Sequence, residues 1–121
     1  MKYTPINFSK KFKLFSDYWA PKTIAQLNNY QFKLVKFKGE FVWHKHEETD
    51  EAFIVLQGQM RILFRDGELK LNSGEMYIVP KGIEHKPLAE QECQMMLVEP
   101  AGIINTGDAG GSLTAEGDVW L

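Results

Sequence analysis

The chain is poor in the residues that would place it outside the cell or on nucleic acid. It has one cysteine, Cys93, in 121 residues. A single cysteine closes no internal disulfide, which fits a reducing compartment. Cys93 also lies in an apolar run, where a buried and inert thiol is the expected state. Long hydrophobic runs are missing, and none approaches the length of a membrane span. The N-terminus is polar and lysine-rich without an apolar h-region, so no signal peptide is expected and the protein reads as cytoplasmic. Asn7-Phe8-Ser9 satisfies a glycosylation sequon, which counts as chance without a secretory signal. Charge of one sign is lacking too: 14 basic residues stand against 16 acidic ones. No basic run or patch occurs, which argues against a nucleic-acid partner. Repeats and low-complexity segments are absent.

What remains is an ordinary globular composition, 44% hydrophobic and 25% charged, at the size of one domain with one core. The pattern along it is that of many short strands. Phe32 to Phe37 is strand-like. Ala52 to Leu56 is apolar at every position, as expected of a strand covered on both faces. Gln57-Gly58-Gln59 then reads as a hairpin turn. Met60, Ile62 and Phe64 alternate with Arg61 and Arg65, so the next strand buries one face. Asp66-Gly67 is a strong hairpin signal. Leu69 and Leu71 form a short strand, Asn72-Ser73-Gly74 turns, and Met76 to Val79 is a strand stopped at Pro80. Cys93 to Val98 is the last clear strand, ended by Pro100. Close turn signals between short strands indicate an antiparallel sandwich or barrel. Before this, residues 1–30 hold aromatics among polar residues, with Phe8, Phe12 and Phe15 at helical spacing. They read as an irregular arm with one or two short elements. After it, residues 101–121 are glycine-rich and look like a mobile tail held at Val119, Trp120 and Leu121.

Histidine is scarce, and its placement is informative. The three histidines fall in two compact segments. His44 and His46 stand at i and i+2, which puts both imidazoles on one side of a strand. Phe41, Val42 and Trp43 before them favour strand. Imidazole is a common ligand for first-row transition metals. Glu51 follows at the start of the next strand-like run. His85 closes the second segment, which begins at Gly74.

These two segments resemble the signature motifs of the cupin superfamily. The first is G-x5-H-x-H-x3/4-E-x6-G, which His44, His46, Glu51 and Gly58 match, while Gly39 stands one residue too close. The second is G-x5-P-x-G-x2-H-x3-N, which Gly74, Pro80, Gly82 and His85 match, with Ala89 in the asparagine position. The departures touch a turn glycine and a peripheral asparagine, and the four ligand types are intact. The resemblance covers roughly residues 31–100. It implies an all-β, small antiparallel jelly-roll-like β-barrel over 31–100, flanked by the arm and the tail.

The resemblance further implies a divalent transition metal (Fe, Mn, Ni, Co or Zn) held by His44, His46, Glu51 and His85. Asp50 is an alternative to Glu51, since the motif tolerates either gap. Parity favours Glu51, which shares a strand face with Phe53 and Val55. Three imidazoles and a carboxylate leave one or two open positions for a substrate. Small cupins include dioxygenases, isomerases, decarboxylating enzymes and proteins of no known reaction. The expectation is therefore a metal-dependent, oxygenase-like enzyme on a small organic molecule, with a non-catalytic ligand-binding or sensing cupin as the alternative. Val42, Phe53, Met60 and Met96 are candidate walls for a small-molecule ligand. Met60, Met76, Met95 and Met96 suit an adaptable apolar pocket or ordinary core. Beyond the ligands, Glu84 and Tyr77 are the titratable groups expected near the site. Lys81 and Lys86 flank His85 and could attract an anion. Phe41 and Trp43 should face away from the histidines on the outer wall. Their need for cover, by the arm or a second subunit, suggests a homodimer.

Overall fold

The computed structural model describes residues 2–121. It contains one short helix, α1 (Phe8–Phe12), and seven strands: β1 (Lys22–Leu27), β2 (Tyr30–Glu40), β3 (Glu51–Gln57), β4 (Gln59–Phe64), β5 (Gly67–Asn72), β6 (Met76–Val79) and β7 (His85–Pro100). All strand pairings are antiparallel, as the alternating pattern and turn signals require.

β7 organises the barrel. On one edge it pairs with β2 over most of its length. On the other edge its first half pairs with β4 and its second half with β3. The register breaks between Phe37 and Gly39, and such a break bends the ladder. The β2–β7 ribbon therefore contributes to both walls. One wall runs β1-β2-β7-β3-β6, and β4 with β5 completes the other. This is the jelly-roll-like barrel that the sequence suggested.

The Arg65-Asp66 turn joins β4 and β5 as expected, with Phe64 opposite Gly67. Gln57-Gly58-Gln59 differs from expectation. β3 and β4 do not pair with each other; both lie along β7, so the chain crosses from one wall to the other without reversing. Gly58 allows this. Its φ is +93°, and a Cβ there would stand 3.0 Å from the Glu92 carbonyl oxygen and 3.3 Å from the Cys93 Cα.

The interior is filled by inward residues of all the long strands, including Val35, Phe37, Phe53, Val55, Met60, Ile62, Cys93, Met95 and Leu97. A second cluster lies outside the main wall: Phe12, Ile24, Leu34 and Met96, with Phe15, Ile54 and Leu56 against it. β3 is thus covered on both sides, as its uniform apolar run implied. Met96 faces this outer cluster and not the interior, which removes it from the candidate ligand walls. Met76 is exposed, so it is no part of the interior. Asn7 caps α1, its side chain accepting from the Lys10 N–H at 2.9 Å, and the helix lays Phe12 onto Leu34 and Met96.

The glycine-rich C-terminal stretch is folded against the barrel. Thr23 donates its N–H to Val119 O at 2.7 Å and accepts from Leu121 N–H at 3.0 Å. Thr106 is fully buried, and Asp108 accepts from the Lys45 N–H at 2.9 Å. No helix among the described residues is long and apolar enough to cross a membrane.

Candidate metal centre

His44 to His46 do not lie in a strand. β2 ends at Glu40, and only His44 returns to the ladder, as an isolated bridge to His85. Two backbone hydrogen bonds make that bridge, His44 N–H to His85 O at 3.0 Å and His85 N–H to His44 O at 2.9 Å. The two motifs are therefore stitched together at their histidines. A third bond, Gly82 N–H to His46 O at 2.8 Å, holds the second motif's loop. Strand alternation does not apply where the ladder is interrupted. Phe41 accordingly points inward, buried, with its ring edge-on to His44 at 5.2 Å. Trp43 stays outside, under the Arg65 guanidinium at 3.7 Å. The expected placement of both rings on the outer wall holds for Trp43 alone.

His44, His46, Glu51 and His85 converge. All are buried, and one potential ligand atom from each lies within 4.8 Å of the others. The Glu51 Oε1 stands 3.4 Å from His46 Nε2 and 3.5 Å from His85 Nε2. Two rings are oriented by backbone carbonyls: His44 Nδ1 meets Val42 O at 2.9 Å, and His85 Nδ1 meets Ile83 O at 2.9 Å. A carbonyl only accepts, so each Nδ1 carries the proton and each Nε2 presents a lone pair to the cluster. Four buried side-chain atoms among the described residues lack a hydrogen-bond partner: His46 Nε2, Glu51 Oε1, His85 Nε2 and Glu99 Oε2. Buried polar atoms are rarely left so, and three of these belong to the cluster. The donor set fits a divalent transition metal.

Asp50 does something else. Its Oδ1 accepts from the Lys81 N–H at 2.9 Å and so ties the two motif loops together at the surface. Glu51 takes the interior position that parity assigned to it.

Electrostatics follow burial. Burial drives the His44 pKa down to about 4, helped by the neighbouring His85. Burial also opposes charge on His46, but Glu51 beside it prevails and holds its pKa above the ordinary value. Burial raises the Glu51 carboxyl, yet the adjoining His46 and His85 imidazoles pull it well below the usual range.

One feature escaped the sequence reading. Lys33 and Glu99 form an ion pair of 3.0 Å inside the barrel, with side chains 6% and 2% exposed. Burial, and then the Glu51 charge, push the Glu99 carboxyl up to about 8. Glu99 is thus the further titratable group beside the cluster. The two expected candidates are elsewhere: Glu84 pairs with Arg65 at 3.2 Å on the surface, and Tyr77 is 39% exposed against Phe64. Lys86 is taken up by Glu40 at 2.8 Å.

A cavity of about 20 Å³ adjoins the cluster, walled by Trp19, Phe37, Phe41, Phe53, Leu97 and Asn105 and floored by His44 and Glu51. Its lining is mainly apolar, and the candidate ligands are its only titratable groups.

A jelly-roll barrel with three imidazoles and a carboxylate converging inside defines a small barrel protein built around a candidate metal site. The cupin domain profile matches residues 33–99, and the chain belongs to the cupin family. It is similar to a cupin-2 domain containing protein from Shewanella frigidimarina, 58% identical, with a TM-score of 0.78 over 78% of this chain and 93% of that one. Protein NMB1881 from Neisseria meningitidis is 32% identical, with a TM-score of 0.74 over 81% of this chain and 100% of that one. The uncharacterized protein YdbB of Bacillus subtilis is 38% identical over 65 residues, 53% of this chain and 58% of its own length.

Proposed function

We propose that His44, His46, Glu51 and His85 bind one divalent transition metal, and that the protein is a metal-dependent, oxygenase-like enzyme acting on a small organic molecule. The observation that carries the metal reading is the set of unpartnered buried atoms: His46 Nε2, His85 Nε2 and Glu51 Oε1 all face one point. A bound ion of this kind serves as a Lewis acid or an oxygen-activating centre. The chain's own part is to orient His44 and His85 through Val42 O and Ile83 O so that each Nε2 faces the cluster, to keep Glu51 ionised, and to exclude water with Trp19, Phe37, Phe41 and Phe53.

The cavity walls favour metal-centred chemistry over acid–base isomerisation, because no titratable group other than the candidate ligands lines them. Hydroquinone 1,2-dioxygenase PnpCD, in complex with Cd²⁺ and 4-hydroxybenzonitrile, shares the fold at 15% identity and a TM-score of 0.66. That likeness concerns architecture alone. A non-catalytic binding or sensing cupin is the second reading, favoured by a cavity with room for little more than a water molecule.

A homodimer in the cytoplasm, with neither nucleic acid nor membrane as partner, completes the proposal. Phe41 is covered within the chain, so it no longer supports a dimer. Met76 and Ile78 do: they are exposed on the outer side of edge strand β6. Light scattering tests the dimer, and a monomer at micromolar concentration would count against it.

The functional test begins with elemental analysis of protein purified without added metal. Oxygen consumption is then measured with iron across catechol-like, thiol and keto-acid compounds. A signal lost in His46→Ala supports the oxygenase. Tight binding without turnover, with each metal loaded in turn, supports the sensing module.

A further inference from the structure

Trp19 has an unusual backbone for its side chain. Its φ is +62°. The other non-glycine residues in this region, Asn28 and Asp118, have short polar side chains that tolerate it, whereas a bulky indole does not. Such strain persists only where surrounding structure over-determines it, and it concentrates at ligand clamps and switch regions. The surroundings here do hold it. The Trp19 N–H donates to Lys36 O at 2.9 Å, the indole N–H donates to Lys38 O at 3.0 Å, and the Trp19 carbonyl accepts from Asn105 Nδ2 at 2.9 Å.

Trp19 is only 6% exposed although it stands on the segment between α1 and β1, outside the barrel's strands. It stacks on Phe37 at 4.2 Å and on Phe41 at 4.8 Å. Phe41 in turn meets His44 edge-on. The indole therefore closes an aromatic slot that ends on a candidate metal ligand, and it leaves a cavity of only about 20 Å³ there.

We infer that Trp19 is a movable wall that sets the size of ligand reaching the cluster. With the indole seated, only a water-sized ligand fits. With it withdrawn, the vacated slot between Phe37 and Phe41 takes a flat, uncharged ring whose edge meets the ion beside His44. No charged side chain apart from Glu51 lines this space, so an uncharged face is what it accommodates. Release of the left-handed backbone at Trp19 offsets part of the stacking lost on withdrawal. The inference rests on reading the cluster as a metal site only for where the ring's edge points.

Two measurements separate these questions. In metal-free protein, Trp19→Ala should bind free indole at least about tenfold more tightly than wild type and gain thermal stability from it. In cobalt(II)-loaded protein, imidazole should shift the visible spectrum of Trp19→Ala at concentrations at least about tenfold below those wild type needs. Equal indole affinity in both proteins overturns the wall. Indole discrimination without cobalt uptake upholds the wall and overturns the metal site. Should Trp19→Ala not fold, Asn105→Ala keeps the ring but frees its carbonyl. Exchange of the Trp19 indole N–H should then quicken at least about tenfold, as expected of a locally opened wall, and unchanged exchange overturns the inference.

Discussion

Replacing Glu51 by glutamine tests the metal centre where Asp50 and Glu51 could be confused. The glutamine keeps the shape and one acceptor oxygen but loses the charge. Glu51 sits 3.4 Å from His46 and 3.5 Å from His85. An amide there keeps the packing but loses the charge that favours a proton on His46, so the readout is the metal-induced rise in each protein and not basal stability. With metal the difference is large. Losing a partner outside the ligand shell already costs roughly 10- to 100-fold in affinity, so losing the anionic ligand should cost at least about 100-fold. At a metal concentration about 100 times the wild-type dissociation constant, wild type gains about 2.7 kcal/mol. For a domain of this size about 1 kcal/mol moves the midpoint by about 4 °C, so wild type should rise by about 10 °C. At the same concentration Glu51→Gln sits near its own dissociation constant, gains about 0.4 kcal/mol, and should rise by less than about 2 °C. Asp50→Ala should behave in the opposite way. It loses the bond to the Lys81 N–H, about 1 kcal/mol of basal stability, and keeps the full metal-induced rise. Thermal scans with and without metal, paired with metal content, provide the assay. A rise retained in Glu51→Gln and lost in Asp50→Ala would refute the assignment.

Metal affinity should fall in acid, because a proton competes with the ion at His46, whose pKa Glu51 holds above the ordinary value despite burial; His44, held down to about 4, does not compete. The same proton stabilises the metal-free fold and is lost as pH rises through that raised pKa, so apo stability and metal affinity should run in opposite directions with pH, and a flat affinity profile from competition titration would contradict this. Lys33→Met should push the Glu99 carboxyl still higher and destabilise most in urea titrations above about pH 8, where Glu99 would otherwise ionise beside Lys33, and adding Glu99→Leu should recover most of the loss; two independent, additive losses would refute a coupled pair. Gly107→Ala should cost about 1–3 kcal/mol, since its φ is +55° and an added Cβ would strike the Lys45 carbonyl; an unchanged urea midpoint would refute it.

The strands were legible because each carries its own signal. Alternation in β4, the uniform apolar run of β3 and the Asp66-Gly67 turn need no distant information. The four candidate ligands were legible for a related reason: motif spacing carries the donor types as well as the gaps. Pairing was harder to read. A glycine between two apolar runs announces a positive φ but not which strand lies alongside. Gly58 has the positive φ and yet serves a close crossing over Cys93. Phe41 failed in the same way. Alternation predicts its direction only while the ladder continues, and the ladder stops at Glu40.

The walls around the cluster were not legible, and the reason is distance along the chain. Trp19 and Asn105 meet across 86 residues, and neither belongs to a motif. Lys33 and Glu99 are 66 residues apart. Parity on β2 places Lys33 inward beside Val35 and Phe37, while its charge argues for solvent. A sequence reading that weighs charge over parity puts it outside. The conflict resolves only when the register sets β2 against β7, with Lys33 opposite Leu97 and Gln31 opposite Glu99. Each member makes the other's burial tolerable, because either charge alone in that interior would be expelled or neutralised. The same register carries Glu99 toward Glu51, so the pair that steadies the end of the barrel also abuts a candidate metal ligand. Residues whose inward placement contradicts their chemistry are therefore where local pattern fails and the site's surroundings begin.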